Sequence, residues 1–107
     1  MTLVLAGAPI GRPGDASPRL RDELAAAEVI AAEDTRRLQR LCRDLDVRLT
    51  GRVVSYFDGN EVQRTPELLD ALRAGQRVLL VTDAGMPSVS DPGFRLVSAA
   101  AAEGLPV

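Results

Sequence analysis

The chain has 107 residues, 46% apolar and 26% charged, which suits one ordinary globular domain with its own core and is too short for two. A net charge of −2 excludes a strongly basic nucleic-acid module, although all 13 cations are arginine and where those planar forks lie matters more than their sum. One cysteine and no histidine exclude an internal disulfide, a cysteine-based metal site and the commonest general base, leaving carboxylates, hydroxyls, backbone dipoles or a cofactor for any chemistry.

Leu3-Val4-Leu5-Ala6 reads as a short apolar strand opening into Gly7-Ala8-Pro9-Ile10-Gly11-Arg12-Pro13-Gly14-Asp15, a run dense in turn residues. Ser17 reads as an N-cap with Pro18 at the first helical position, and Leu20, Leu24 and Ala27 recur on one helical face. Strand, glycine-rich turn and helix can open a nucleotide-binding unit. Yet Gly7, Gly11 and Gly14 do not match G-x-G-x-x-G, and no phosphate-loop lysine follows. No apolar stretch approaches the ~20 residues that cross a bilayer, and no basic residue precedes Leu3 as in a signal peptide. A cytoplasmic protein without membrane contact is expected.

Val29-Ile30-Ala31-Ala32 reads as a second buried strand ending at Glu33-Asp34-Thr35-Arg36. Carboxylates there could accept hydrogen bonds from ribose hydroxyls; equally, Asp34 or Thr35 could simply cap the next helix. In that helix Leu38, Leu41 and Leu45 share one side, and at ~100° per residue Arg36, Arg40 and Arg43 fall nearly opposite. The arginines form either a solvated face or a ridge for RNA phosphates. Arg52 to Tyr56 reads as a third strand, followed by the loop Phe57-Asp58-Gly59-Asn60-Glu61. Tyr56 and Phe57 either stack on a base or pack at the sheet edge. Asn60 caps a short helical turn, and Thr65-Pro66 restarts a helix whose Leu68, Leu69 and Leu72 face the core before Gly75 ends it.

Val78-Leu79-Leu80-Val81 reads as a fourth, fully buried strand, and the segment after it, Thr82 to Gly93, carries Asp83 and Asp91 among Gly85, Pro87, Pro92 and Gly93. A loop at the carboxyl end of a buried parallel strand is where open α/β sheets bind ligands, and this composition suits close backbone approach. The plainer alternative is a turn in which Asp91 caps the next helix with Pro92 at its first position. Phe94, Val97 and Ala101 mark the inner face of that helix, Gly104 ends it, and Leu105-Pro106-Val107 reads as the start of a fifth strand. The expected fold is therefore α/β, a three-layer sandwich with a mainly parallel sheet of four or five strands. A stop inside a strand is expected of an amino-terminal domain cut from a longer protein.

Taken together, Ala8-Pro9-Ile10-Gly11, Ala31-Ala32-Glu33-Asp34-Thr35-Arg36, Ser55-Tyr56-Phe57 with Asn60-Glu61, and Asp83-Ala84-Gly85-x-Pro87 with Ser90-Asp91-Pro92-Gly93 resemble one family in order and spacing. It is the ribosomal RNA small-subunit cytidine 2′-O-methyltransferase family, within the tetrapyrrole (corrin/porphyrin) methylase superfamily. The chain departs from the family's usual pattern at Ala8, Arg12 and Met86, and at Phe57 and Gly59, where the family carries histidines.

The resemblance implies the amino-terminal half of a two-domain, S-adenosylmethionine-dependent enzyme, homodimeric when complete, with the cofactor in a cleft between its halves and the small ribosomal subunit or its RNA as partner. On this resemblance Asp83, Ala84, Gly85, Pro87 and Asp91, with Pro9 and Gly11, are the candidate cofactor residues. Glu33 and Asp34 are the candidates for proton acceptance or substrate positioning, and Thr35, Arg36, Arg40, Tyr56, Asn60 and Glu61 for substrate contact. Moving a methyl group to a weakly nucleophilic ribose hydroxyl depends mainly on aligning oxygen, carbon and sulfur, and crevice carboxylates would favour the sulfonium donor. No metal is implied, and the half alone is expected to be inactive. Two alternatives stand beside this reading: a tetrapyrrole precursor as acceptor, or a nucleotide-binding module without catalysis.

Overall fold

A computed structural model describes residues 2–7, 18–57, 59–82 and 93–104. Among them, strands β1 (Thr2–Gly7), β2 (Val29–Ala32), β3 (Arg52–Ser55) and β4 (Arg77–Thr82) alternate with helices α1 (Pro18–Ala26), α2 (Thr35–Asp44), α3 (Glu61–Arg73) and α4 (Gly93–Ala102). The strands form one sheet in the order β1-β4-β2-β3, parallel at every pairing, as the apolar runs separated by helical patterns predict. Gly7 pairs with Thr82, and Ala32 with Val81 and Ser55, so all four carboxyl ends lie along one edge. The anticipated fifth strand at Leu105 lies outside the described residues.

The apolar quartets are buried on both faces because side chains alternate along a strand. Val29, Ala31, Val78 and Leu80 pack with Leu68, Leu72, Leu96 and Ala100 of α3 and α4, whereas Ile30, Ala32, Leu79 and Val81 pack with Leu20 and Leu24 of α1 and Leu38 and Leu41 of α2. The chain therefore leaves β1 and β2 toward one helical layer, and β3 and β4 toward the other. In the spatial order of the strands these exits alternate. Each neighbouring pair sends its continuations to opposite faces, which is the topology that opens a crevice above a parallel sheet.

Three local features differ from the sequence reading. Helix α3 runs unbroken from Glu61 to Arg73 with Pro66 inside it, rather than restarting at Thr65. Pro66 withholds one N–H from the Val62 carbonyl, and Val62 lies on the exposed side where water can replace that bond. The inner face of α4 is set one position away from Val97 and Ala101: Leu96 and Ala100 are fully buried, Val97 and Ala99 are partly so, and Ala101 is exposed. Both rows are spaced i, i+4, and the one that carries the larger Leu96 takes the sheet contact. Asn60 precedes α3 yet makes no side-chain cap.

Helix ends follow the expected chemistry. Gly75 has φ 87°, its N–H bonds to the Leu72 carbonyl, and Gln76 N–H reaches the Ala71 carbonyl, a paired closure that suits glycine. After α2 the same closure is made by Asp46 at φ 56°, with Asp46 N–H to the Arg43 carbonyl and Val47 N–H to that of Cys42.

The edge opposite the carboxyl ends is heavily fastened. The Arg77 guanidinium, at the start of β4, grips Glu23 of α1 through Nη2 at 2.8 Å from both carboxylate oxygens and Nε at 3.1 Å. Glu23 is only 11% exposed there. Glu28 N–H bonds the Arg77 carbonyl, its Oε1 accepts from Arg77 N–H, and its carbonyl accepts from Arg52 N–H, joining β4, β2 and β3. Gly51 sits against this junction so closely that a Cβ would lie 2.8 Å from both the carbonyl carbon and oxygen of Glu28 and closer still to the Ala27 oxygen. Arg52 and Arg64 converge on Glu67 at 2.6 and 3.0 Å, and Arg73 forks onto Glu103.

Candidate site at the carboxyl edge of the sheet

Of the candidate residues, Glu33, Asp34, Thr35, Arg36, Arg40, Tyr56, Asn60 and Glu61 fall within the described part, beyond the ends of β2 and β3. Tyr56 N–H still bonds the Ala32 carbonyl at 2.8 Å, so the two strands run together into this edge. Neighbouring strands are ~4.8 Å apart, which puts Glu33 and Asp34 beside Tyr56 and Phe57. The cofactor candidates Pro9, Gly11, Asp83, Ala84, Gly85, Pro87 and Asp91 lie outside the described residues, as does Ser17.

Asp34 is the N-cap of α2. Its Oδ1 accepts from the N–H groups of Arg36 and Arg37 at 3.0 and 3.1 Å, and its Oδ2 lies 3.6 Å from Arg37 Nε. The cap satisfies two of the helix's orphan donors and places an anion at the positive end of the dipole. Glu33, half-buried at the strand end, and Thr35, half-buried at the first helical position, stand on either side.

Arg36, Arg40 and Arg43 are all exposed, opposite the buried Leu38, Leu41, Cys42 and Leu45. Unlike Arg37, Arg52, Arg64, Arg73 and Arg77, they make no ion pair among the described residues. The result is a cationic stripe running ~10 Å along the helix from the carboxyl edge. Cys42, on the inward side, is 5% exposed, and burial pushes its thiol above the usual range, away from nucleophilic use.

The two aromatics part company. Tyr56 is completely buried, packed with Val54, Leu68 and Leu72, and its hydroxyl lies 2.8 Å from Thr65 Oγ1, which donates to the Glu61 carbonyl at 2.7 Å. Of the two roles open to it, Tyr56 takes core packing, and its ring has no face left for a base. Phe57, one residue on, is 45% exposed. Asn60 is likewise engaged within the protein: Oδ1 accepts from Phe57 N–H at 2.8 Å, and Nδ2 donates to the Ser55 carbonyl and Oγ at 3.1 and 3.0 Å. It braces the turn rather than offering its amide to a substrate. Glu61, half-buried, opens α3. Alternation would have separated the aromatics, because Val54 and Tyr56 share the parity that faces α3; the brace by Asn60 and Ser55 has no comparable signal.

An open, wholly parallel sheet between two helical layers, with carboxylates, an exposed aromatic ring and a cationic stripe at its carboxyl edge, defines a doubly wound α/β domain. The chain belongs to the Tetrapyrrole (Corrin/Porphyrin) Methylases, whose family profile matches residues 2–107. A Mycobacterium tuberculosis protein (strain H37Rv) named ribosomal RNA small subunit methyltransferase I is 54% identical over 105 residues, covering 98% of this chain and 37% of the relative. Proteins of the same name from Micromonospora olivasterospora and Thermotoga maritima are 48% and 38% identical, covering 99% and 98% of this chain and 33% and 46% of theirs. The chain thus spans between a third and a half of the length of these relatives. No helix among the described residues is long and apolar enough to cross a membrane.

Proposed function

We propose that this chain is the amino-terminal domain of a cytoplasmic, S-adenosylmethionine-dependent methyltransferase that modifies a cytidine 2′-hydroxyl in small-subunit ribosomal RNA. The observation that carries the reading is the 54% identity along 98% of the chain to a protein named for that reaction class. It favours RNA over a tetrapyrrole acceptor, and methyl transfer over a nucleotide-binding module without catalysis.

In this reading Asp83, Ala84, Gly85, Pro87 and Asp91, with Pro9 and Gly11, line the cofactor site, and a second domain, in a homodimer, covers its other side. When bound, the cofactor supplies an electrophilic methyl group on a sulfonium. The protein's own task is to hold the ribose oxygen in line with that carbon, to exclude water and to offer an acceptor for the hydroxyl proton. Glu33 and Asp34, the second of which also caps α2, are the carboxylates that position the ribose or receive the proton. Arg36, Arg40 and Arg43 hold the RNA strand by its phosphates, which positions without reading sequence.

The test is transfer of labelled methyl from S-adenosylmethionine to small ribosomal subunits that lack the modification, followed by mapping the label to ribose or base. Label on a cytidine ribose supports the reading. Label on a base, or only on a tetrapyrrole precursor, refutes it.

A further inference from the structure

Phe57 presents an unusual combination of exposure and rigidity. The ring is left 45% in water while the residue's main chain is tied on both sides. Its N–H donates to Asn60 Oδ1 at 2.8 Å, and its carbonyl accepts from the N–H groups of Asn60 and Glu61, both at 2.9 Å. The Asn60 amide is held in turn by Ser55. The ring lies over Gly59: a Cβ there would come within 2.6 Å of Phe57 Cε2 and 3.2 Å of Cδ2. Bare Cα on one side and solvent on the other leave an aromatic face open on a main chain that is already held. Its ordering cost is met in folding rather than in binding.

Asp34, the cap from which the α2 arginine stripe starts, continues β2 as far past its end as Phe57 continues β3. An aromatic face beside a row of guanidinium groups is the arrangement that grips single-stranded nucleic acid, bases on the ring and phosphates on the cations. We propose that Phe57 is a stacking platform for an unpaired nucleobase of the RNA substrate, next to the acceptor ribose and in line with Arg36 and Arg40. This rests on the RNA reading above. The same planar chemistry occurs in the cofactor's adenine, but the register that sets Phe57 level with Asp34, where α2 begins, favours RNA.

The chain contains no tryptophan, so Phe57→Trp installs a reporter at the platform itself. In the full-length protein, emission is compared with the unsubstituted protein while a short single-stranded oligoribonucleotide, a duplex of the same sequence, or S-adenosylmethionine is added. The expected result is quenching by the single strand, little by the duplex and none by the cofactor. Phe57→Leu keeps the apolar bulk but removes the π face, and should weaken single-strand binding about tenfold, ~1.4 kcal/mol. Gly59→Ala, which displaces the ring, should do the same, whereas Val62→Ser, at the other exposed large apolar side chain among the described residues, should not.

Wild-type affinity in Phe57→Leu, or indole emission that the single strand leaves unquenched in Phe57→Trp, overturns the platform. If methyl transfer to ribosomal RNA persists in those proteins, the functional reading survives that failure. Quenching by S-adenosylmethionine alone would reassign the ring to the cofactor and overturn the proposal, as would a protein that binds no RNA, which would sink the functional reading too.

Discussion

Replacing Gly51 with alanine tests whether the fastened edge of the sheet sets the stability of the domain. The added Cβ would sit 2.8 Å from the carbonyl carbon and oxygen of Glu28 and nearer still to the Ala27 oxygen, all main-chain atoms that no rotamer change can move aside. Relief requires shifting residues 27 and 28, yet Glu28 carries three ties: its carbonyl accepts from Arg52 N–H at 3.0 Å, its N–H donates to the Arg77 carbonyl at 2.9 Å, and its Oε1 accepts from Arg77 N–H at 3.1 Å. Overpacking of this kind costs about 1–3 kcal/mol, and one weakened ladder bond adds about 1 kcal/mol. A total near ~3 kcal/mol lowers the melting temperature of a domain this size by roughly 12–20 °C. Thermal unfolding followed by circular dichroism measures it, and faster exchange of the Arg52 amide locates it. Thr50→Ala is the neighbouring control, since its hydroxyl makes only a 3.4 Å exposed contact with the Ala25 carbonyl. A Gly51→Ala protein melting within about 2 °C of the parent would show that residues 27 and 28 yield freely, and the reasoning would fail.

Four further outcomes are expected. Arg77→Met leaves the Glu23 carboxylate shielded without its fork and should cost about 2–3 kcal/mol in denaturant melts, while adding Glu23→Gln recovers part of the loss; an equal or larger loss in the double variant contradicts this. Asp46→Gly relieves a left-handed conformation at φ 56° and should raise stability by ~1 kcal/mol, read as a higher melting temperature. Hydrogen bonds from Arg52 and then Arg64 hold the Glu67 carboxyl below its ordinary value of 4.5, so its contribution is complete above that pH and lost as pH falls through the lower folded-state value. The acid limb of a stability-against-pH curve should therefore flatten in Glu67→Gln. Finally, Arg36→Ala, Arg40→Ala and Arg43→Ala combined should weaken RNA binding and lower its salt dependence while leaving cofactor affinity in place, and an unchanged salt slope would return the stripe to plain solvation.

Much of the fold was legible because two apolar quartets, Val29 to Ala32 and Val78 to Val81, can be satisfied only by burial on both faces, and helical spacings between them demand parallel crossovers. Pro66 misled because its local cost is real but small where water reaches the deprived carbonyl. The phase of α4 was ambiguous because four consecutive alanines from Ala99 offer no contrast between inner and outer faces. The fastened edge was beyond reach: Arg77 and Glu23 are 54 residues apart, and nothing near Gly51 announces that another strand's main chain lies against it. At the site, the adjacency of Tyr56 and Phe57 hid opposite fates that only alternation along β3 distinguishes.

The crowding of ties at the amino ends of the strands has a consequence for change over time. Arg77 with Glu23, Glu28 with its three bonds, and Arg52 with Glu67 secure the sheet from below, so none of them depends on what happens above the carboxyl ends. Segments there can be lengthened, shortened or rewritten while the chassis keeps its register. A scaffold anchored at one end is in this sense a tool holder, able to accept new acceptors without relearning how to fold.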